Sequence, residues 1–334
     1  MNYDEKPLVS IVTPCYNGEQ FVHRLLDSVL EQNYKNIEHI IIDDGSTDST
    51  AAIIKEYMPK YEKLGKKLLY EFQENAKAGA ALNRGLKLFS GEYLTWPDSD
   101  DYYTSDNAIS TMVSTLSSLP EAYGIVRCDA ILLDEETLNG IGKFSNNKLN
   151  PGKEILFEDC ILEHQFWYTP GCYFTSAKAF DSVVKNRDIF VNNDAQNWQM
   201  LLPILYKYKC FYIKEPLHNY LVRSTSYCHQ PIDYELAISR TFIHEEIINE
   251  TLKRIEMPAI ELSSYLSLVE KKYILKKLAI CFDYNNSVEF DKLFLKLKEE
   301  NTNQISFKLQ MKKLLISSPT IIAMIRKVRE LVRR

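Results

Sequence analysis

In "LTWPDSDDYY" (94–103) an apolar run meets three carboxylates, Asp98, Asp100 and Asp101. Like charges at that spacing raise one another's pKa, so the cluster needs a cation or hydrogen-bond donors to compensate it. Carboxylates in such a cluster suit two tasks: accepting hydrogen bonds from a base or ribose, and holding Mg2+ or Mn2+ on phosphate oxygens. The ligand so described is a metal-bound nucleoside diphosphate. Two other polar clusters, Thr13 to Asn17 and Asp43 with Asp44, stand at the ends of strand-like runs as the acidic cluster does. "TPCYNGEQ" after the first run lacks the G-x-G-x-x-G of a nicotinamide site, and no Walker A sequence occurs. A nucleotidyltransferase would need a basic triphosphate loop at that point, and none is present.

The elements that must position these clusters alternate. "PLVSIVTP" (7–14), "IEHIIIDD" (37–44), "KKLLYEFQ" and "EYLTW" read as strands. Between them, Phe21, Val22, Leu25, Leu26 and Val29 make one apolar helix face, "GSTDST" caps a second helix, and "GAALNRGLKLF" is a third. Asn17 with Gln20 three residues on predicts a capping-box start for the first helix. Strand–helix alternation predicts a mainly parallel α/β sheet with helices on both faces. Ligands bind outside the carboxyl ends of such strands, so the three clusters should meet on one rim. The expected organisation is a domain over 1–235, with a nucleotide half (1–104) and an acceptor half (105–235), followed by a helical region over 236–334.

At 334 residues the chain has room for a large core, and 45% hydrophobic with 25% charged residues is the composition of a folded protein. A net charge of -5 argues against general nucleic-acid binding. No stretch reads as a signal peptide or a membrane span, and seven cysteines without close pairs suit reduced thiols, so a cytoplasmic location is expected. The segment 307–334 is basic with apolar residues at helical spacing; it predicts either a peripheral contact with the inner face of the membrane or a helix packed on the protein.

As a set, "VSIVTPCYNGEQFVHRLLDSVLEQ", "IIIDDGSTDST", "ENAKAGAALNRGL" and "WPDSDDYY" resemble the family-2 glycosyltransferases of the GT-A fold. The resemblance spans about 7–230 and implies inverting transfer of a sugar from a nucleotide-diphosphate donor to a hydroxyl of a glycan, glycoprotein or lipid-linked acceptor. Carried over, Pro14, Tyr16 and Asn17 would border the nucleotide, and Asp44 with Asp43 would accept the uracil N3–H, making a UDP-sugar the expected donor. Asn75, Gly79 and Asn83 match the loop beside the base, with Leu82 where the family commonly has arginine. In the "DxDD" element Asp98 and Asp100 would face the donor, and Asp101, with Asp100, would hold Mn2+ or Mg2+. In "LVRSTSYCH", Arg223 would pair with phosphate and His229 complete the metal shell. Trp167, Tyr168 and Trp198 offer aromatic faces to an acceptor sugar, or else belong to the core.

Members of the family usually carry Glu-Asp-Trp-Glu, whose Asp takes the acceptor proton. Here the residues are Gln196, Asn197, Trp198 and Gln199, and an amide is no base near neutral pH. Asp194 is expected to supply the carboxylate, with Asn197 orienting a substrate, although "VNNDAQNW" equally suits a helix cap. The same substitution leaves open a sugar-nucleotide-binding protein without turnover.

Overall fold

A computed structural model describes residues 6–148, 152–192, 197–223, 232–300 and 307–316. The chain divides into two compact units, one of residues 1–230 with 250–257, the other of 231–249 with 258–334. The first unit runs β1 (Val9–Cys15), α1 (Val22–Leu30), β2 (Ile37–Asp43), α2 (Thr50–Lys63), β3 (Lys67–Phe72), α3 (Lys77–Leu86), β4 (Tyr93–Thr95), β5 (Tyr102–Tyr103) and α4 (Ala108–Ser118). It continues with β6 (Tyr123–Asp134), β7 (Gly140–Lys143), α5 (Ser145–Lys148), α6 (Phe157–Leu162), β8 (Tyr173–Ser176), α7 (Ala177–Asp181), α8 (Asn197–Lys207) and β9 (Lys209–Val222). The helices α9 (Tyr234–Arg254), α10 (Ala259–Asp283), α11 (Ser287–Glu300) and α12 (Phe307–Ile316) follow, the end of α9 from Glu250 belonging to the first unit.

One sheet carries the first unit, in the order β3-β2-β1-β4-β8-β6-β9-β5, with β7 on β6. β1 and β2 are buried along their whole length, as strands covered on both faces must be, which is why their sequences read as near-continuous apolar runs. β3, at the edge, buries only Leu68 and is exposed at both ends. β1 to β4 pair in parallel, whereas β8 runs antiparallel to β4 and β6. Helix α3 lies close against β1 because Gly85 has no side chain: a Cβ there would come 2.3 Å from Val12 Cγ1. Gly45 turns the chain out of β2 at φ +81°, where other residues are strained.

The first helix begins later than its capping pattern suggests. Its N-cap is Phe21, which makes no side-chain cap bond. Asn17 instead takes φ 48° and its Oδ1 accepts the Thr47 N–H at 2.9 Å, a bond to a loop thirty residues away.

His39, fully buried on β2, bonds Thr13 Oγ1 through Nε2 (3.1 Å) and the Tyr61 hydroxyl through Nδ1 (3.0 Å). Burial lowers its pKa to about 3, far below the usual histidine value. Below about pH 6.5 the unfolded chain therefore takes up a proton at this residue that the folded chain refuses, and stability falls with pH throughout the window down to 3. The expected loss is about 2 kcal/mol by pH 5 from this residue alone. Denaturant melts between pH 5 and 7 should show it, and His39→Gln should flatten that part of the slope.

In the second unit Leu278, Cys281, Phe282, Phe290 and Leu297 form the centre of an apolar core between α10, α11 and α12. Among the described residues no helix is long and apolar enough to cross a membrane. Of the basic segment 307–334, only 307–316 is described; 317–334 lies outside the described residues.

Candidate functional site

The carboxyl ends of β1, β2 and β4 bring the three polar clusters to one rim of the sheet. Cys15 pairs with Asp43 in register, and the Asp44 N–H donates to Cys15 O at 2.8 Å, which locks the first two clusters together. Their loops are stitched by side chains: the Asn17 N–H donates to Ser46 Oγ (2.9 Å), Gly18 N–H to Thr50 Oγ1 (2.8 Å) and Glu19 N–H to Asp48 Oδ2 (3.1 Å). Asn17 and Asp48 thus hold the loop pair in shape, and Tyr16 stands 52% exposed at its lip.

Asp43 is buried and its two oxygens are taken, Oδ1 by the Ser46 N–H (2.9 Å) and Oδ2 by the Tyr70 hydroxyl (2.7 Å). Asp44 Oδ1 accepts from Gln73 Nε2 (2.7 Å) and from the Ala76 N–H (2.8 Å). Asp43 is therefore a support of the loop, while Asp44 is oriented by the chain that leads into α3. Asn75 and Gly79 lie along that same segment, Asn75 exposed and against Gly45, Gly79 buried in α3. Asn83 Nδ2 donates to Asp188 Oδ1 (3.1 Å) and its Oδ1 accepts the Ile189 N–H (3.0 Å), so it anchors the 188–189 loop. Pro14 is buried inside β1 opposite Ile42, so it shapes the strand end without presenting a face.

Asp98, Asp100 and Asp101 each offer an oxygen within 4.8 Å of the others. Asp101 is the inner member, 1% exposed, with Oδ1 accepting the Leu221 N–H of β9 at 3.0 Å. Its Oδ2 makes no hydrogen bond and lies 3.7 Å from Nε2 of His218, itself fully buried. Burial first, and then the Asp100 charge, raise the Asp101 pKa well above the usual carboxylate range, while burial lowers that of His218 to about 3. Asp98 and Asp100, both half-buried, are the outward carboxylates of the cluster. Asp101, expected with Asp100 to hold a metal, is the buried member of the cluster and stands behind the other two. Three carboxylates at this separation, one with a buried oxygen lacking a hydrogen bond, fit a hard divalent cation.

Arg223, just after β9, donates from Nη2 to Asp100 Oδ2 at 2.6 Å, and its guanidinium centre lies 4.7 Å from the Phe21 ring. Cys15 sits behind the rim; burial pushes its thiol up to about 12, so it is no nucleophile at neutral pH.

Of the aromatic residues for which an acceptor face and a core position were both open, Trp167 and Trp198 are buried. Trp167 is 1% exposed, stacked on Phe144 (6.4 Å, 12°) and covered by the Arg127 guanidinium at 4.6 Å. Trp198 is 6% exposed and donates from Nε1 to Cys160 O at 3.3 Å, the same carbonyl that accepts the Tyr168 hydroxyl. Tyr168 and Trp198 pack on one another with ring centres 5.1 Å apart. Trp167 and Trp198 are thus enclosed, while Tyr168 is half-buried beside Trp198. Asn197 opens α8, and its Oδ1 is buried without a hydrogen-bond partner. Asp194 and His229 lie outside the described residues.

Gln73, Phe21 and His218 join the site without having been singled out in the sequence. Gln73 follows β3 and was reachable by the rule that strand ends face the ligand. His218 and Leu221 reach Asp101 only because β9 pairs antiparallel with β5, which no local pattern announces.

The sequence model of Glycosyl transferase family 2 matches residues 10–183. The chain is 35% identical over 188 residues to the uncharacterized glycosyltransferase RT0329 of Rickettsia typhi, a match covering 54% of this chain and 55% of that one, so it spans about half the length of this relative. Among solved structures, residues 1–349 of TarS of S. aureus in complex with UDP-GlcNAc superpose with a TM-score of 0.58 at 17% identity, over 86% of this chain and 83% of that one. The mannosyltransferase PcManGT of Pyrobaculum calidifontis in complex with GDP-Man and Mn2+ gives 0.54 at 14% identity, over 96% and 87%. At such identities the likeness is one of fold.

Proposed function

The chain belongs to glycosyl transferase family 2, and from that membership we propose that it moves a sugar from a UDP-sugar to a hydroxyl of a glycan, glycoprotein or lipid-linked acceptor, with inversion and with help from Mn2+ or Mg2+. The observation that carries the reading is the meeting of Asp44 and the Asp98, Asp100, Asp101 triad on one sheet rim, the triad oxygens within 4.8 Å of one another. The UDP-GlcNAc complex of TarS and the GDP-Man and Mn2+ complex of PcManGT, both of this fold, support a nucleotide-sugar and a divalent cation as its ligands.

In this reading Asp44, with Oδ1 fixed by Gln73 and Ala76, accepts from a base edge that donates, which suits uracil. Asp98 and Asp100 would hold the cation, backed by Asp101. Bound there, the cation would supply positive charge against the charge that develops as the diphosphate departs. Arg223 lends a planar fork to the same oxygens. Asp194 takes the acceptor proton as the acceptor oxygen bonds to the sugar carbon and the carbon–phosphate oxygen bond breaks on the opposite face. Asn197 has no basic site and so serves only to orient. A cytoplasmic protein touching the inner face of the membrane through 307–334 fits the exposed Met311 and Leu314 beside Lys312 and Lys313 of α12.

A second reading, a sugar-nucleotide-binding protein without turnover, is favoured by one observation: amides at Gln196 and Asn197. A panel of nucleotide sugars with Mn2+, followed by thermal stabilisation and by release of nucleoside diphosphate on adding acceptors, separates the two. UDP-sugars should stabilise and turn over. Stabilisation without release on any acceptor would favour the binder, and stabilisation by GDP- but not UDP-sugars would overturn the donor assignment.

A further inference from the structure

Asp100 is claimed twice. Its carboxylate is one of the outward donors of the triad, yet Oδ2 is already bonded to Arg223 Nη2 at 2.6 Å. Both side chains are three-quarters buried, at 25% and 21% exposure, so solvent screens the contact less than it would a surface ion pair. The guanidinium is steadied from below by Phe21, 4.7 Å away, while its Nε has no hydrogen-bond partner, so only part of the donor fork is in use. A divalent cation on the triad would need the carboxylate that Arg223 holds, and would repel the guanidinium beside it.

Building on the donor reading above, we infer that Arg223 is an exchangeable surrogate cation: it neutralises Asp100 in the empty enzyme, yields that carboxylate to the divalent metal, and turns its released fork to the diphosphate that the metal accompanies. The residue thereby works in opposite directions in two states. In the nucleotide-free protein it competes with the metal. Once a diphosphate is present, the displaced guanidinium gains two or three phosphate oxygens in place of one carboxylate oxygen, and it favours the loaded site. Metal and nucleotide then bind better together than either alone, and the coupling is reciprocal. Phe21 makes the exchange a short move, because the guanidinium need only pivot over the ring that already carries it. A merely structural ion pair would show none of this crossing of signs.

The test is a Mn2+ titration of the full chain, by calorimetry or by the paramagnetic signal of free Mn2+, with and without saturating UDP. Arg223→Gln is expected to bind Mn2+ about five- to tenfold more tightly than the wild type when nucleotide is absent, and to bind UDP about tenfold more weakly when Mn2+ is saturating. Arg223→Lys, which keeps the charge and loses the fork, should leave the nucleotide-free Mn2+ affinity within about twofold of wild type and still weaken UDP. Melting curves of both variants establish that they are folded. If Arg223→Gln binds Mn2+ in the absence of UDP no better than wild type, the exchange is overturned even where UDP binding falls. If the wild type shows no Mn2+-assisted UDP binding at all, the donor reading fails and the exchange with it.

Discussion

Asp100→Asn is expected to lower turnover about a thousandfold, roughly 4 kcal/mol of transition-state stabilisation, while the protein stays folded. The magnitude follows from what the residue does in the proposed reaction. It is one of two outward carboxylates of a cluster whose oxygens lie within 4.8 Å of one another, so its charge is a large share of what attracts a cation. Asparagine keeps the shape and removes the charge. The same variant also loses the charge partner of Arg223, so melting curves accompany the assays to establish that it is folded. Asp101 gives a poorer experiment. Its Oδ1 receives the Leu221 N–H in a buried setting, and Asp101→Ala would strand that donor, so lost activity would report a damaged β5–β9 junction as much as a missing ligand. Asp101→Asn, which can still accept from Leu221, is the useful companion and should be milder than Asp100→Asn. The measurement is UDP release with acceptor present, alongside Mn2+-assisted UDP binding. Full binding and turnover in Asp100→Asn would refute the assignment of the triad as the metal site.

The nucleotide half was legible because its physics is local. "VSIVTPC" and "IEHIIID" read as strands since both are covered on two faces, and once a parallel sheet is granted its strand ends have to carry the ligand groups. What escaped was set by partners far along the chain. Asn17 has the sequence of a helix cap, but the loop after β2 offers the Thr47 N–H, and that longer-range bond wins. Trp167 and Trp198 have the composition of a sugar platform. Only packing, Phe144 and Arg127 on one and the Cys160 carbonyl on the other, distinguishes it from a core. The Arg223–Asp100 pair joins residues more than a hundred positions apart and depends on how β9 runs beside β5, for which hydrophobic pattern carries no signal.

Asp194→Asn is expected to reduce kcat by about a hundred- to ten-thousandfold with UDP affinity changed less than twofold, the split that marks a lost proton acceptor and not a lost binding contact. The start of α8 offers no base of its own. Gln196 and Asn197 carry amides, which have no group able to take a proton near neutral pH. Asp194 is the carboxylate nearest to them in sequence. The informative control is Asn197→Asp. A carboxylate at the first residue of a helix is favoured by the exposed N–H groups there, so the variant should fold. If Asp194 is the base, Asn197→Asp adds little to the wild type. If instead the base belongs at the helix start and this chain has lost it, Asn197→Asp should create or sharply raise turnover, and Asp194→Asn should change nothing. Either of those two results would remove Asp194 from the mechanism, and a rise in Asn197→Asp from an inactive wild type would make the natural chain a binder that a single carboxylate converts to an enzyme.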